Sequence, residues 1–155
     1  MGKILNNWLK STEEIPLREE LDLNIRVAST LLEGKFDIIA GKYGITISQY
    51  NVLRILKGVY PNGHARCDLS VRMIERAPDI TRLIDRLEKQ GLVERDRTEI
   101  DRRMSITRIT KKGIKLVEEI KPLVENEHKK ITRKLSDDEC RQLSNLLEKY
   151  YEGMT

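Results

Sequence analysis

The stretch "DITRLIDRLEKQGLVERDRTEIDRRMSITRITKKG", residues 79–113, changes its hydrophobic period halfway along. In its first half Ile80, Leu83, Ile84 and Leu87 recur in steps of three and four, the buried stripe of a helix. Pro78 suits the first position of that helix and Gly91 its end. In the second half Leu92–Arg97 and Arg103–Ile109 read as strands, joined by Thr98–Arg102. That is a β-hairpin with a long, charged tip.

Upstream, Ser48 reads as the N-cap of a helix reaching about Val59, with Ile47 and Val52 as a hydrophobic staple. Pro61-Asn62-Gly63 breaks that helix, and a short one follows from about Cys67 to Ile74. Two helices, a third with an outward basic face, and a hairpin make a winged helix-turn-helix. Further upstream, Pro16 opens a long helix to about Gly41 with the stripe Leu21, Ile25, Ala28, Leu32, Phe36 and Ile39. The first 15 residues read as an arm, with Ile4, Leu5, Trp8 and Leu9 at helical spacing. Downstream, Thr110 caps a helix whose stripe is Val117, Ile120, Leu123 or Val124, His128 and Ile131, ending near Leu135 and kinked at Pro122. Ser136 and Glu139 form a capping box for a last helix with the face Leu143, Leu146, Leu147 and Tyr150.

The fold class is therefore mainly α. A winged helix-turn-helix lobe with a small antiparallel β-hairpin wing occupies 45–113. The terminal helices, 1–44 and 114–155, carry apolar stripes outside that lobe, and a second copy of the chain is the simplest partner for them. All 155 residues form one such unit.

Net charge is +4, and the excess is central. Residues 64–112 hold 13 basic and 9 acidic groups, whereas the two ends are close to neutral. A basic centre faces a polyanion. No apolar run approaches the roughly 20 residues of a membrane span, and MGKILNNWLK lacks the apolar core of a signal peptide. A cytoplasmic protein is expected. Cys67 and Cys140 lack CxxC spacing, and with His64 and His128 they form no zinc motif, so structural roles and no metal or cofactor are expected. No nucleophile–base pair or phosphate-cradling glycine loop is visible, so no enzyme is expected.

On DNA, Arg82 and Arg86 project together from the helix face opposite its buried stripe, where arginine bonds guanine O6 and N7. Asp79 could accept from a cytosine amino group or pair with Arg82, and Asp85 could pair with Lys89. Arg97, Arg102 and Arg103 lie at or beside the wing tip, placed for phosphates or the minor groove. Asp101 reads as the orienter of Arg103. The helix N-termini at Ser48 and Pro78 offer amides to phosphates.

These residues also resemble a known family. TRLIDRLEKQGLVER at 81–95, the wing DRR at Asp101–Arg103 and T-x-x-G at Thr110–Gly113 are similar to the MarR family of prokaryotic transcription regulators. ISQYNVLRIL at 47–56, IKPLVE at 120–125 and LSDDE at 135–139 extend the likeness over roughly 20–152. The resemblance implies a homodimer with interlocked terminal helices, bound to a palindromic double-stranded operator. It implies a repressor, commonly released by a small aromatic or phenolic ligand. It puts recognition contacts on Asp79, Thr81, Arg82 and Arg86 and the wing pair on Asp101 and Arg103. Ala77-Pro78-Asp79 stands where the family commonly has hydroxyl residues. The alternative is a winged-helix module that binds protein without reading DNA.

Overall fold

Helix boundaries fall where a side chain can satisfy the free amides of a first turn. In the computed structural model, which describes residues 2–10, 14–74, 79–96 and 105–154, α1 spans Lys3–Leu9, α2 Leu17–Gly41 and α3 Ile47–Lys57. The cap of α3 is Thr46, not Ser48. The Thr46 hydroxyl accepts from the Gln49 amide, and the Gln49 side chain accepts from the Thr46 amide at 2.9 Å. Thr46-x-x-Gln49 is thus a capping box, and Ser48 falls inside the first turn. Ile45 and Tyr50, both buried, stand at the staple positions in place of Ile47 and Val52.

Next come β1 (His64–Ala65), α4 (Arg66–Arg72), α5 (Ile80–Lys89), β2 (Val93–Asp96) and β3 (Ile106–Ile109). The expected start of α5 at Pro78 moves to Ile80, with Asp79 as the N-cap. The stripe read from the sequence faces inward: Ile80, Ile84 and Leu87 are buried and Leu83 is partly so. The wing is larger than the expected hairpin. β3 is the middle of a three-stranded antiparallel sheet ordered β1-β3-β2. β1 pairs His64 with Thr107 and Ala65 with Ile106, and β2 pairs Val93 with Ile109. Gly63 admits β1, because a Cβ there would stand 2.2 Å from the Thr107 carbonyl oxygen.

The chain leaves the wing into α6 (Lys111–Thr132) through a tight junction. The Thr110 hydroxyl accepts from the Gly113 amide at 3.1 Å and donates to the Gly91 carbonyl at 2.8 Å. A Cβ on Gly113 would lie 2.3 Å from the Leu92 carbonyl oxygen. The T-x-x-G spacing is therefore a cap plus a close approach between α6 and the chain entering β2. α6 continues as one helix through Pro122. Its buried residues Val117, Ile120 and Val124 join a single core with Tyr50, Leu53 and Leu56 of α3, Leu69 of α4 and the end of α2 at Ala40.

Away from this core the terminal helices are thinly covered. α7 (Asp137–Glu152) has the expected Ser136–Glu139 capping box but buries none of its residues. The Tyr150 hydroxyl donates to the Asp22 carboxylate and ties α7 to α2. That bond raises the Tyr150 phenol above its ordinary pKa. At the other end Leu5 is buried, and the Gly2 amide donates to Glu20 at 2.7 Å.

Candidate nucleic-acid interface

α5 has two faces because its sequence alternates by turn. The apolar stripe packs into the lobe, and Arg82, Arg86 and Lys89 stand exposed on the opposite side. Asp79, at the leading end, uses both oxygens on one neighbour. Oδ1 accepts from the Arg82 amide at 3.1 Å, and Oδ2 pairs with Arg82 Nε at 2.7 Å. Thr81, partly buried, accepts from Arg66 Nη1 at 3.3 Å.

The charged residues between α5 and the wing pair differently from the expected Asp85–Lys89 contact. Asp85 pairs instead with Arg95 of β2 at 2.5 Å, and Glu88 lies 3.7 Å from the same guanidinium. Across the hairpin, Arg108 pairs with Asp96. Arg95 and Arg66 were not singled out by the sequence reading. Each meets a partner on another element, 10 and 15 residues away, which no single-helix spacing reveals.

Arg97, Asp101, Arg102 and Arg103 lie outside the described residues, as do Ala77 and Pro78. What is described is their foundation, with β2 and β3 in register from Val93–Ile109 to Asp96–Ile106. Ser48 is partly buried in the first turn of α3. The amides around it are used within the chain: Gln49 donates to Thr46, and Ile47 donates to Asp37 at 2.9 Å. That end of α3 is held by the Thr46–Gln49 capping box and by Asp37 of α2.

A cleft of about 460 Å³ separates α3 from α6, lined by Tyr50, Arg54, Lys57, Val117, Lys121 and His128 among others. Burial raises the Tyr50 phenol above its ordinary pKa, against the attraction of Arg54, so it stays a neutral donor. The Arg54 guanidinium lies 5.9 Å from the Tyr50 ring centroid, and Phe36 touches His128 with ring centroids 4.8 Å apart. Among the described residues no three His, Cys, Asp or Glu side chains are grouped to hold a metal ion, and no helix is long and apolar enough to cross a membrane. Cys140 is partly buried, whereas Cys67 is exposed and has no place in the core.

The sequence model of the family described as "Transcriptional regulator SarA/Rot" matches residues 35–120. A MarR transcription factor from Planctomyces limnophilus, known as a crystal structure, is 33% identical, with a TM-score of 0.69 over 88% of this chain and 98% of that one. The HTH-type transcriptional regulator PapX of Escherichia coli is 29% identical over 96% of this chain and 92% of its own length. The homoprotocatechuate degradative operon repressor of Escherichia coli is 25% identical over 86% and 89%. These relatives are transcriptional regulators. The chain belongs to the SarA/Rot family of transcriptional regulators and is a DNA-binding winged helix-turn-helix protein of the MarR type.

Proposed function

We infer that the protein is a homodimeric repressor that binds a palindromic operator and releases it when a small aromatic or phenolic acid binds. Residues 45–113 meet DNA, and residues 1–44 and 114–155 pair with a second copy. The observation that carries the reading is α5, which buries Ile80, Ile84 and Leu87 and keeps Arg82 and Arg86 on its free face. Arg82 and Arg86 read bases in the major groove. Arg103, oriented by Asp101, enters the minor groove, and Arg97 and Arg102 bind phosphates.

Dimerisation is supported by α7, whose Leu143, Leu146 and Leu147 remain exposed, and by exposed Leu21, Leu31 and Leu32 on α2. Effector binding is supported by the α3–α6 cleft. It offers Tyr50 and two valines to a ring and Arg54 to a carboxylate, with Lys57 and Lys121, paired with Glu118 and Glu125, at its edge. Homoprotocatechuate, a phenolic acid, gives one relative's operon its name.

Footprinting on the DNA upstream of the protein's own gene tests the reading. A two-fold symmetric footprint is expected, with half-sites about one helical turn apart. An aromatic acid that raises the melting temperature should also clear the footprint. Sequence-blind, salt-sensitive binding under every condition would overturn the repressor assignment.

A further inference from the structure

The polar side chains at the leading turn of α5 are held by one another, and the way they are held divides their work. Asp79 spends Oδ1 on the Arg82 amide and Oδ2 on Arg82 Nε. A carboxylate so engaged is poorly placed to accept from a cytosine, and a free one would repel phosphate. A guanidinium gripped through Nε keeps the edge formed by its two Nη groups. That edge matches O6 and N7 of guanine. With 79% of the Arg82 side chain exposed, it is open to a ligand.

The second arginine at this turn comes from another helix. Arg66 opens α4, is exposed, and donates through Nη1 to the Thr81 hydroxyl. Thr81 and Arg82 are consecutive, so this contact brings the Arg66 cation to the turn that carries Arg82. A hydroxyl does not neutralise it. Among the described residues Arg66 has no carboxylate partner, in contrast to Arg95, which pairs with Asp85 of α5, and Arg108, which pairs with Asp96 within the wing.

We propose that Arg66 is a further DNA-contacting residue, docked on Thr81 to bind a phosphate, and that Asp79 is a positioning residue that aims Arg82 at a guanine. Together they form a two-arginine reading head split between α4 and α5. Thr81 acts as the platform for Arg66. This rests on the DNA-reading role assigned to α5 above.

The test begins with selection of bound sequences from a random double-stranded DNA library by the full-length protein. If no sequence is enriched, the DNA-reading role of α5 itself falls, and the proposal with it. On an enriched site, Arg66→Gln is expected to weaken binding roughly tenfold and to lower the slope of log affinity against log salt by about one. Arg66→Lys, which keeps the charge, should restore the slope. Asp79→Ser keeps a capping oxygen but loses the grip on Nε. It is expected to cost roughly tenfold of the preference for guanine at one position, with binding to random DNA unchanged or tighter. Asp79→Asn, another good cap, serves as the second variant if Asp79→Ser melts early. An Arg66→Gln protein with unchanged affinity and salt slope removes Arg66 from the interface. Asp79 variants that keep every base preference leave the carboxylate a helix cap and nothing more. Either result overturns the reading head.

Discussion

Arg82 stays largely exposed although its Nε is paired with Asp79, whereas Arg95 is mostly covered between Asp85 and Glu88. The two guanidinium groups have the same chemistry, and their surroundings leave one open to solvent and hold the other in the fold. Arg82→Ala should cost about 1–3 kcal/mol of binding at one base pair and relax specificity there, measured by competition among single-base operator variants. At the wing tip, Asp101→Ala should weaken operator binding in a filter or gel-shift assay although it makes the wing more positive. Tighter binding would mean that the carboxylate only repels DNA. The outward pair Arg82 and Arg86 was legible in the sequence, because a period of 3.6 separates the two faces of one helix. The partner of Asp85 was not. Spacing on α5 points to Lys89, and only the packing of β2 against α5 brings in Arg95.

Caps show the same division at the scale of elements. Thr110 and Ser136 were legible because each bonds an amide three residues on. Thr46 carried the same signal through Gln49, and Ser48, which has no Glu or Gln three residues later, drew the assignment two residues too far. Thr46→Ala should cost about 1 kcal/mol in denaturant unfolding. The Ser136 amide, then its hydroxyl, holds the Glu139 carboxyl below its ordinary pKa. Its contribution is therefore present above the usual glutamate range and lost as pH falls through the lowered value. Glu139→Gln should destabilise α7 near neutral pH and remove that part of the acid dependence, followed by circular dichroism. β1 left little trace in the sequence, since two residues become a strand only when Gly63 lets them reach β3. Arg95→Met should lower stability by about 1 kcal/mol and weaken operator binding further, by freeing β2 from α5.

For the whole molecule, the unfinished part is the pair of terminal segments. The single core takes in α6 through Val117, Ile120 and Val124, yet α7 buries nothing and α2 joins the core mainly through its last turns. Sequence periodicity located these stripes but not what they face, which the proposed second copy would supply. Leu143→Glu with Leu146→Glu should convert a two-chain particle to a one-chain particle in light scattering, and the secondary structure of the winged lobe should survive. Operator affinity should then fall with the loss of the second half-site. The Thr110–Gly113 junction adds a mechanical consequence. The Leu92 carbonyl leaves no room for a Cβ at Gly113, and Thr110 bonds to both sides, so α6 is tied directly to the chain entering β2. α6 is about 33 Å long at 1.5 Å per residue, so a tilt of about 5° moves its far end by about 3 Å. The same helix lines the α3–α6 cleft. With a second copy packed on the terminal helices, as proposed, a change in that cleft would be carried along α6 to the seam between the copies.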